Sequence, residues 1–248
     1  MRKIVLFIFL LTASLLAKDY ALIIGVSNYK NMRSSLDINN DIKIYKKILK
    51  NRGVENIKVL KNKKATRSAI TKYLTYVHLN IKKYPNSRFF MFFTGHGISA
   101  NTRGLKYNPS INRYLTNSGV ILPYEYNPKE LSDTIIIGKR DLRPYLIEID
   151  KYLKESLIIF DACYAGNSIR GKNNKKRTPF IYSNSKNYPY NNIVYIASST
   201  PRNKAKSGVL SKVLDGCLVK KTDLTTLRVC MNDKLKFIGQ RAVVLAKK

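Results

Sequence analysis

Histidine and cysteine are scarce in this sequence, with two of the first and three of the second. Two histidines leave little choice of a general base. Three cysteines cannot all pair within one chain, so at least one thiol stays outside any intrachain disulfide. Carboxylates are also few: 15 acidic side chains face 46 basic ones, for a formal net charge of +31. A charge of that size favours anionic partners such as acidic surfaces, lipid headgroups or nucleic acid. An AT-rich coding sequence produces the same bias by enriching Lys, Asn, Ile and Tyr together. The lysines are spread along the chain, and no signature of a nucleic-acid-binding module is present, so no specific nucleic-acid partner is expected. Internal repeats are absent.

Long apolar runs are missing too. Ile4 to Leu11 is short for a transmembrane helix, and Thr12 and Ser14 follow it. Behind the basic pair Arg2 and Lys3, it reads as a secretory signal peptide over residues 1–17, cleaved after Ala17. The expectation is an exported protein, periplasmic or secreted, with one domain over 18–248. Cleavage there removes two basic side chains and no acidic one, so 44 basic face 15 acidic and +29 remains. In an oxidising compartment Cys217 and Cys230, close together near the C-terminus, could pair and leave Cys163 as the free thiol. The other reading keeps all three reduced, two of them as small core residues.

What is present alternates. Ala21–Val26 reads as a buried strand. Ile38, Ile42, Tyr45, Ile48 and Leu49 recur at helical spacing, with Gly53 as the C-cap. "NIKVLKN" is a second strand. Thr66 caps a helix striped by Ile70, Leu74, Val77 and Ile81. "RFFMFF" is a third strand. Residues 99–134 read as irregular apart from "GVILP" at 119–123. Leu142, Leu146, Ile149 and Leu153 predict a third helix with Pro144 in its first turn. Leu157–Phe160 is a fourth strand, 167–191 a long polar loop, and "NIVYIAS" a fifth strand. A short helix over Gly208–Leu214 and a final strand "RAVVLA" complete the chain. Strands alternating with helices predict an α/β fold: a mostly parallel six-stranded sheet between two helical layers.

In such sheets the working residues sit at the carboxyl ends of the strands. The third strand ends in Thr94-Gly95-His96-Gly97, and the fourth in Asp161-Ala162-Cys163 with Gly166 three residues on. A cysteine hydrolase needs a thiol, a group to move its proton, and donors for an oxyanion. Cys163 can attack a carbonyl carbon, and His96 can deliver a proton to the leaving amine. The backbone N–H groups of Gly97 and Cys163 are candidate oxyanion donors. The other histidine, His78, falls mid-helix beside Val77 and reads as a surface or boundary residue.

"FFTGHG" together with "IIFDACYAG" resembles the caspase and metacaspase family of cysteine peptidases, whose members carry S/T-G-H-G and D-x-C-x-x-G segments. The resemblance spans most of residues 18–248. "YALIIGVSNY" is similar to that family's first strand, "NND" at 39–41 to its first helix, "ATRSAI" to the start of its second, and "GQRAVVL" to its closing strand. It implies a caspase-like three-layer αβα sandwich with His96 and Cys163 as a catalytic dyad. The sequence departs from the family at Tyr164-Ala165, where His-Ser is frequent, at Ala242 in place of a proline, and in the basic segment "STPRNKAKSG".

Asp161 precedes Cys163 by two, so on extended backbone both side chains point the same way. A carboxylate there disfavours the thiolate, a cost that makes sense if it awaits a substrate cation. By resemblance to metacaspases, Asp161, Asp41 and Thr94 would form a pocket for Arg or Lys. As bare residues, Asp161 also reads as a turn acid and Asp41 as a helix first-turn acid.

The leading expectation is an exported cysteine endopeptidase cleaving after Arg or Lys. A non-catalytic cationic binding protein on the same scaffold, making anionic surface contacts, is the alternative, and a legumain- or gingipain-like peptidase is a third. No cofactor or metal is expected. Some metacaspases use calcium, but no EF-hand-type loop is present. "RGKNNKKR" at 170–177 is a candidate site of self-cleavage or a solvated charge run.

Overall fold

The computed structural model describes residues 17–34, 36–98, 105, 108–115, 118–162, 188–198, 208–218, 224–236 and 243–246. The leader, Cys163, the 170–177 run and the "STPRNKAKSG" segment up to Ser207 lie outside these residues, apart from Ala17.

The chain opens with β1 (Asp19–Gly25), a strand buried at nearly every position. Helix α1 (Asn39–Asn51) follows, with Gly53 in the left-handed conformation closing its end. After β2 (Ile57–Lys61), the Thr66 hydroxyl accepts the Ala69 N–H at 3.1 Å and caps α2 (Arg67–Ile81). Then come β3 (Ser87–Thr94), β4 (Gly97–Ile98), the one-turn α3 (Asn112–Leu115), β5 (Val120–Ile121), the one-turn α4 (Leu131–Thr134) and β6 (Ile136–Ile137). Helix α5 (Arg143–Asp150) has Pro144 in its first turn, where a missing N–H costs nothing. The chain closes with β7 (Leu153–Asp161), β8 (Ile193–Ala197), α6 (Val209–Cys217), α7 (Leu224–Lys236) and β9 (Val243–Leu245).

Six strands form the main sheet in the order β2-β1-β3-β7-β8-β9. All neighbours are parallel except β9, which runs against β8. The continuous apolar runs of β1, β3 and β7 are what a sheet covered on both faces requires. Alternate residues serve different layers. Phe89, Met91, Phe93, Ile158 and Phe160 join one core with Ile70, Leu74 and Val77 of α2 and Leu146 and Ile149 of α5. Phe90, Phe92, Leu157 and Ile159 join the other with Tyr45 and Leu49 of α1, Leu214 of α6 and Met231 of α7. This is the predicted α/β architecture, a helical layer on each face of a mostly parallel sheet.

Three sequence expectations are corrected. Leu153 is not the end of a helix. It stands four residues after Ile149, a helical spacing, but α5 stops at Asp150 and a turn delivers Leu153 as the first residue of β7. Residues 99–134 are not merely irregular outside "GVILP": the one-turn α3 and α4 lie within them, and the strand expected at 119–123, β5, pairs with β4 and β6 just outside those bounds in a separate antiparallel sheet. Helix α7 went unrecognised, although Leu227, Met231 and Leu235 recur every four residues and are buried. Cys217 of α6 and Cys230 of α7 are joined by a disulfide, with Cα atoms 5.8 Å apart.

Tyr45 stacks on Phe92 at 4.8 Å between ring centroids, and both are fully buried. Phe92→Ala should therefore destabilise the fold by about 3–5 kcal/mol, as truncating a buried aromatic does. Urea unfolding followed by tyrosine fluorescence measures it.

Candidate active site

The sheet ends in one transverse row. Gly25 of β1 pairs with Thr94 of β3, and Thr94 pairs with Asp161 of β7. By strand alternation, Thr94 and Asp161 project into the α1/α6 layer, one step beyond Phe92 and Ile159. Gly25 is required here by contact. A Cβ at this position would stand 2.8 Å from Ile42 Cδ1 and 3.0 Å from Ile38 Cδ1, so its absence lets the start of α1 settle over the strand end.

That approach brings Asp41 above the row. One of its carboxylate oxygens accepts the Thr94 hydroxyl at 2.7 Å, and the other accepts the Ser211 hydroxyl of α6 at 2.5 Å. Gly208, left-handed at φ +71°, starts α6 beside the same carboxylate. Asp41 is completely buried, and both its oxygens are occupied.

Asp161 is buried too, but less well supplied. The Ser198 hydroxyl bonds its carboxyl group, while Oδ2 has no hydrogen-bond partner among the described residues. Burial first, and the Asp41 charge second, push its pKa up to about 8. The Tyr45 hydroxyl lies in the same field. It is also buried without a hydrogen-bond partner among the described residues, and burial, Asp161 and Asp41 raise its pKa in that order. The site thus holds two carboxyl groups and a phenol with no basic side chain bonded to them among the described residues.

His96 sits beyond the same row. Gly95 gives its N–H to the Asp161 carbonyl at 3.2 Å. A side chain at Gly95 would start 2.9 Å from both Phe93 Cζ and the Tyr29 hydroxyl, so only glycine fits this turn. The His96 backbone is then held from two sides. Its N–H donates to the Tyr29 hydroxyl at 2.7 Å, and its carbonyl accepts the Leu122 N–H at 3.0 Å. Nε2 lies 3.0 Å from the Ser34 hydroxyl, and the Tyr29 ring is 5.4 Å away, centroid to centroid. Burial lowers the imidazole pKa below its usual value, so it is neutral at neutral pH. A cleft lined by Lys30, Met32, Arg33 and Leu36 leads to Ser34. Gly97 opens β4, opposite Ile121.

The structure therefore brings Asp41, Thr94 and Asp161 into one cluster, with His96 two residues past Thr94. Cys163 lies outside the described residues, two positions past Asp161 in sequence. His78 is elsewhere, half-buried on α2 with its ring edge toward Tyr145. Sequence reasoning missed Tyr29, Ser34, Ser198 and Ser211. Their partners lie far along the chain (170 positions for Ser211 and Asp41), so no local pattern marks them. Among the described residues, no group of three or more His, Cys, Asp or Glu side chains converges as metal ligands would.

Residues 18–243 match the family model described as the caspase domain, and the chain belongs to that family. Members of this family are cysteine peptidases. Caspase-1 from Spodoptera frugiperda is similar in structure, with a TM-score of 0.58 and 14% identity over 93% of this chain and 86% of that one. A protein from Geobacter sulfurreducens is similar to the same degree, with a TM-score of 0.59 and 14% identity over 92% of each chain. At that identity the likeness establishes the caspase-like fold. No curated protein sequence matches significantly.

The raised pKa of Asp161 sets a pH dependence. In the unfolded chain this carboxyl ionises near 3.8, and in the folded chain near 8. Between those values the folded state binds the extra proton, so its stabilising effect is complete below the lower value and fades as pH rises to the upper one. Asp161→Asn, which cannot ionise, should flatten this decline and melt above the wild type at about pH 9. Thermal melts across that range, wild type against variant, give the answer; parallel curves would mean an ordinary Asp161.

Proposed function

We propose that this chain is an exported cysteine endopeptidase that uses His96 and Cys163 as a dyad and cleaves after Arg or Lys. The observation that carries the reading is the Thr94–Asp161 rung. His96 and Cys163 each follow one of these paired residues by two positions, so the two chemical segments leave neighbouring strands at the same level.

In this reading the Cys163 thiol passes its proton to the neutral His96 imidazole and attacks the substrate carbonyl carbon. The oxyanion is met by the N–H groups of Gly97 and Cys163. The imidazolium returns the proton to the leaving amine as the C–N bond breaks. Water then hydrolyses the thioester and restores the thiol. Ser34 and Tyr29 position the ring and its backbone.

The cluster behind the dyad is the specificity pocket. A guanidinium or ammonium entering it meets the uncommitted Oδ2 of Asp161, with Asp41 held behind by Thr94 and Ser211. A cation there relieves the repulsion between the two carboxyl groups and favours loss of the Asp161 proton. An Asp at P1 would add a third buried carboxylate. The family match supports the peptidase class, and the acidic cluster supports the basic P1. The high net charge keeps anionic surface contacts open as a separate property.

The test is a peptide library varied at P1, with and without calcium. Wild type should cleave after Arg and Lys, Cys163→Ala should be inactive, and His96→Ala should lose at least ~10²-fold in kcat. His78→Ala should stay active. Because Asp161 must ionise for the cation, kcat/KM on Arg peptides should climb with pH toward about 8. Efficient cleavage after Asp or Asn would overturn the specificity, and no cleavage of any peptide would favour a binding protein on this scaffold. Alkylation without reduction, read by mass spectrometry, should label Cys163 alone. Labels on all three cysteines would remove the Cys217–Cys230 bond.

A further inference from the structure

The pole of the sheet opposite the acidic cluster carries a different surface. Residues 56–124 contain no carboxylate and 12 lysines and arginines. That stretch includes α2, whose solvent face carries Lys72, Tyr76 and Leu79 at spacings of four and three, with Lys83 in the turn just past its end. These spacings put the three helical side chains on one stripe, which Lys83 follows at the helix end. The stripe has an apolar centre, with Tyr76 44% and Leu79 61% exposed, between a lysine at either end. Lys82 falls off this spacing, and its charge acts on Glu148 of α5.

The start of β1 adjoins the stripe. Tyr20 meets Tyr76 edge to face at 6.1 Å, and Tyr73 meets Tyr76 at 5.9 Å. The Lys18 ammonium lies over the Tyr20 and Tyr84 rings at 5.8 and 5.6 Å. The nearby Asp19 is neutralised by Arg88, which bonds both its oxygens at 2.8 and 2.5 Å. The patch therefore combines exposed aromatic and aliphatic carbon with lysines that no carboxylate pairs among the described residues. A second lysine strip, Lys43, Lys46, Lys47 and Lys50 on α1, lacks this centre; its Lys47 is paired with Asp215.

We propose that the α2 stripe, with Lys18 beside it, docks the domain on a bilayer leaflet rich in anionic lipid. Tyrosine and leucine settle at the level of the headgroups, and lysines at both ends meet their charge. A purely ionic polymer would engage the lysines but gain little from Leu79. Among the described residues no helix is long and apolar enough to cross a membrane, so this contact is a surface one. Docking by the amino ends of β1 and β3 leaves the carboxyl-end cluster facing away from the lipid.

Co-sedimentation of the purified protein with vesicles tests this, using pure phosphatidylcholine against phosphatidylcholine with about a quarter phosphatidylglycerol. Wild type should bind the anionic vesicles and leave the neutral ones. Lys72→Gln with Lys83→Gln should weaken binding by tenfold or more, at about fivefold per lysine. Tyr76→Ser with Leu79→Ser should weaken it comparably at unchanged net charge. Glutamine at all four α1 lysines should change it far less, and every variant should keep the wild-type melting curve and peptide hydrolysis. The proposal is overturned if wild type ignores anionic vesicles, if the α1 variant loses binding in place of the α2 variants, or if Tyr76→Ser with Leu79→Ser binds as before. Equal binding of all variants to neutral vesicles would also overturn it, by placing attachment elsewhere in the chain.

Discussion

Two carboxyl groups lie buried within one electrostatic neighbourhood at the carboxyl end of this sheet, and they are not equivalent. Asp41 has both oxygens bonded, by Thr94 and Ser211. Asp161 has Ser198 and one oxygen without a hydrogen-bond partner among the described residues. Burying a second negative charge beside the first is expensive, so the chain keeps the less supported carboxyl protonated until something opposes the charge. The surroundings hold that arrangement open: Gly25 admits α1, Gly208 starts α6 beside Asp41, and the Cys217–Cys230 bond ties α6 to α7 behind it. Stability is given up at the place where the ligand cation is proposed to restore it.

The His96 turn is built by a different logic. Here polar groups are satisfied and space is minimal. The Tyr29 hydroxyl takes the His96 N–H, its ring lines the imidazole, and it closes the space where a Gly95 side chain would go. The small sheet contributes through Leu122, which fixes the His96 carbonyl. The imidazole is thus placed by backbone contacts on both sides. Its own nitrogen is left a hydroxyl partner in Ser34, a neutral group that does not favour the charged ring.

The strands were legible because a sheet covered on both faces demands continuous apolar runs, as in "RFFMFF". The histidine stood out because glycines flank it at the end of such a run, and Asp161 because it closes the neighbouring run. In the second sheet β5 was legible within "GVILP", but β4 and β6, two residues each, carry no pattern long enough to read. Leu153 misled because a residue four places after Ile149 satisfies helical spacing, whereas the chain turns at 151–152 and buries it in a strand. Ser34 and Ser211 were beyond reach for a simpler reason. A serine has no signature until the fold brings it to His96 or Asp41, 62 and 170 positions away.

The charge of the chain also reads differently once it is placed. Summed, +31 is only a composition. In the fold, Asp41 and Asp161 share the carboxyl end of the sheet with no cation bonded to them among the described residues, while a long carboxylate-free segment covers α2 and the strand next to it. The two surfaces would suit different partners. A basic side chain would lower the energy of the first by neutralising a buried carboxyl pair. An anionic surface lowers the energy of the second by neutralising lysines that flank exposed carbon, over an area that no single side chain could cover. Screening by salt acts strongly on the exposed pole and weakly on the buried one. Ionic strength would therefore loosen surface contacts of this protein well before it weakened recognition of a cation in the pocket.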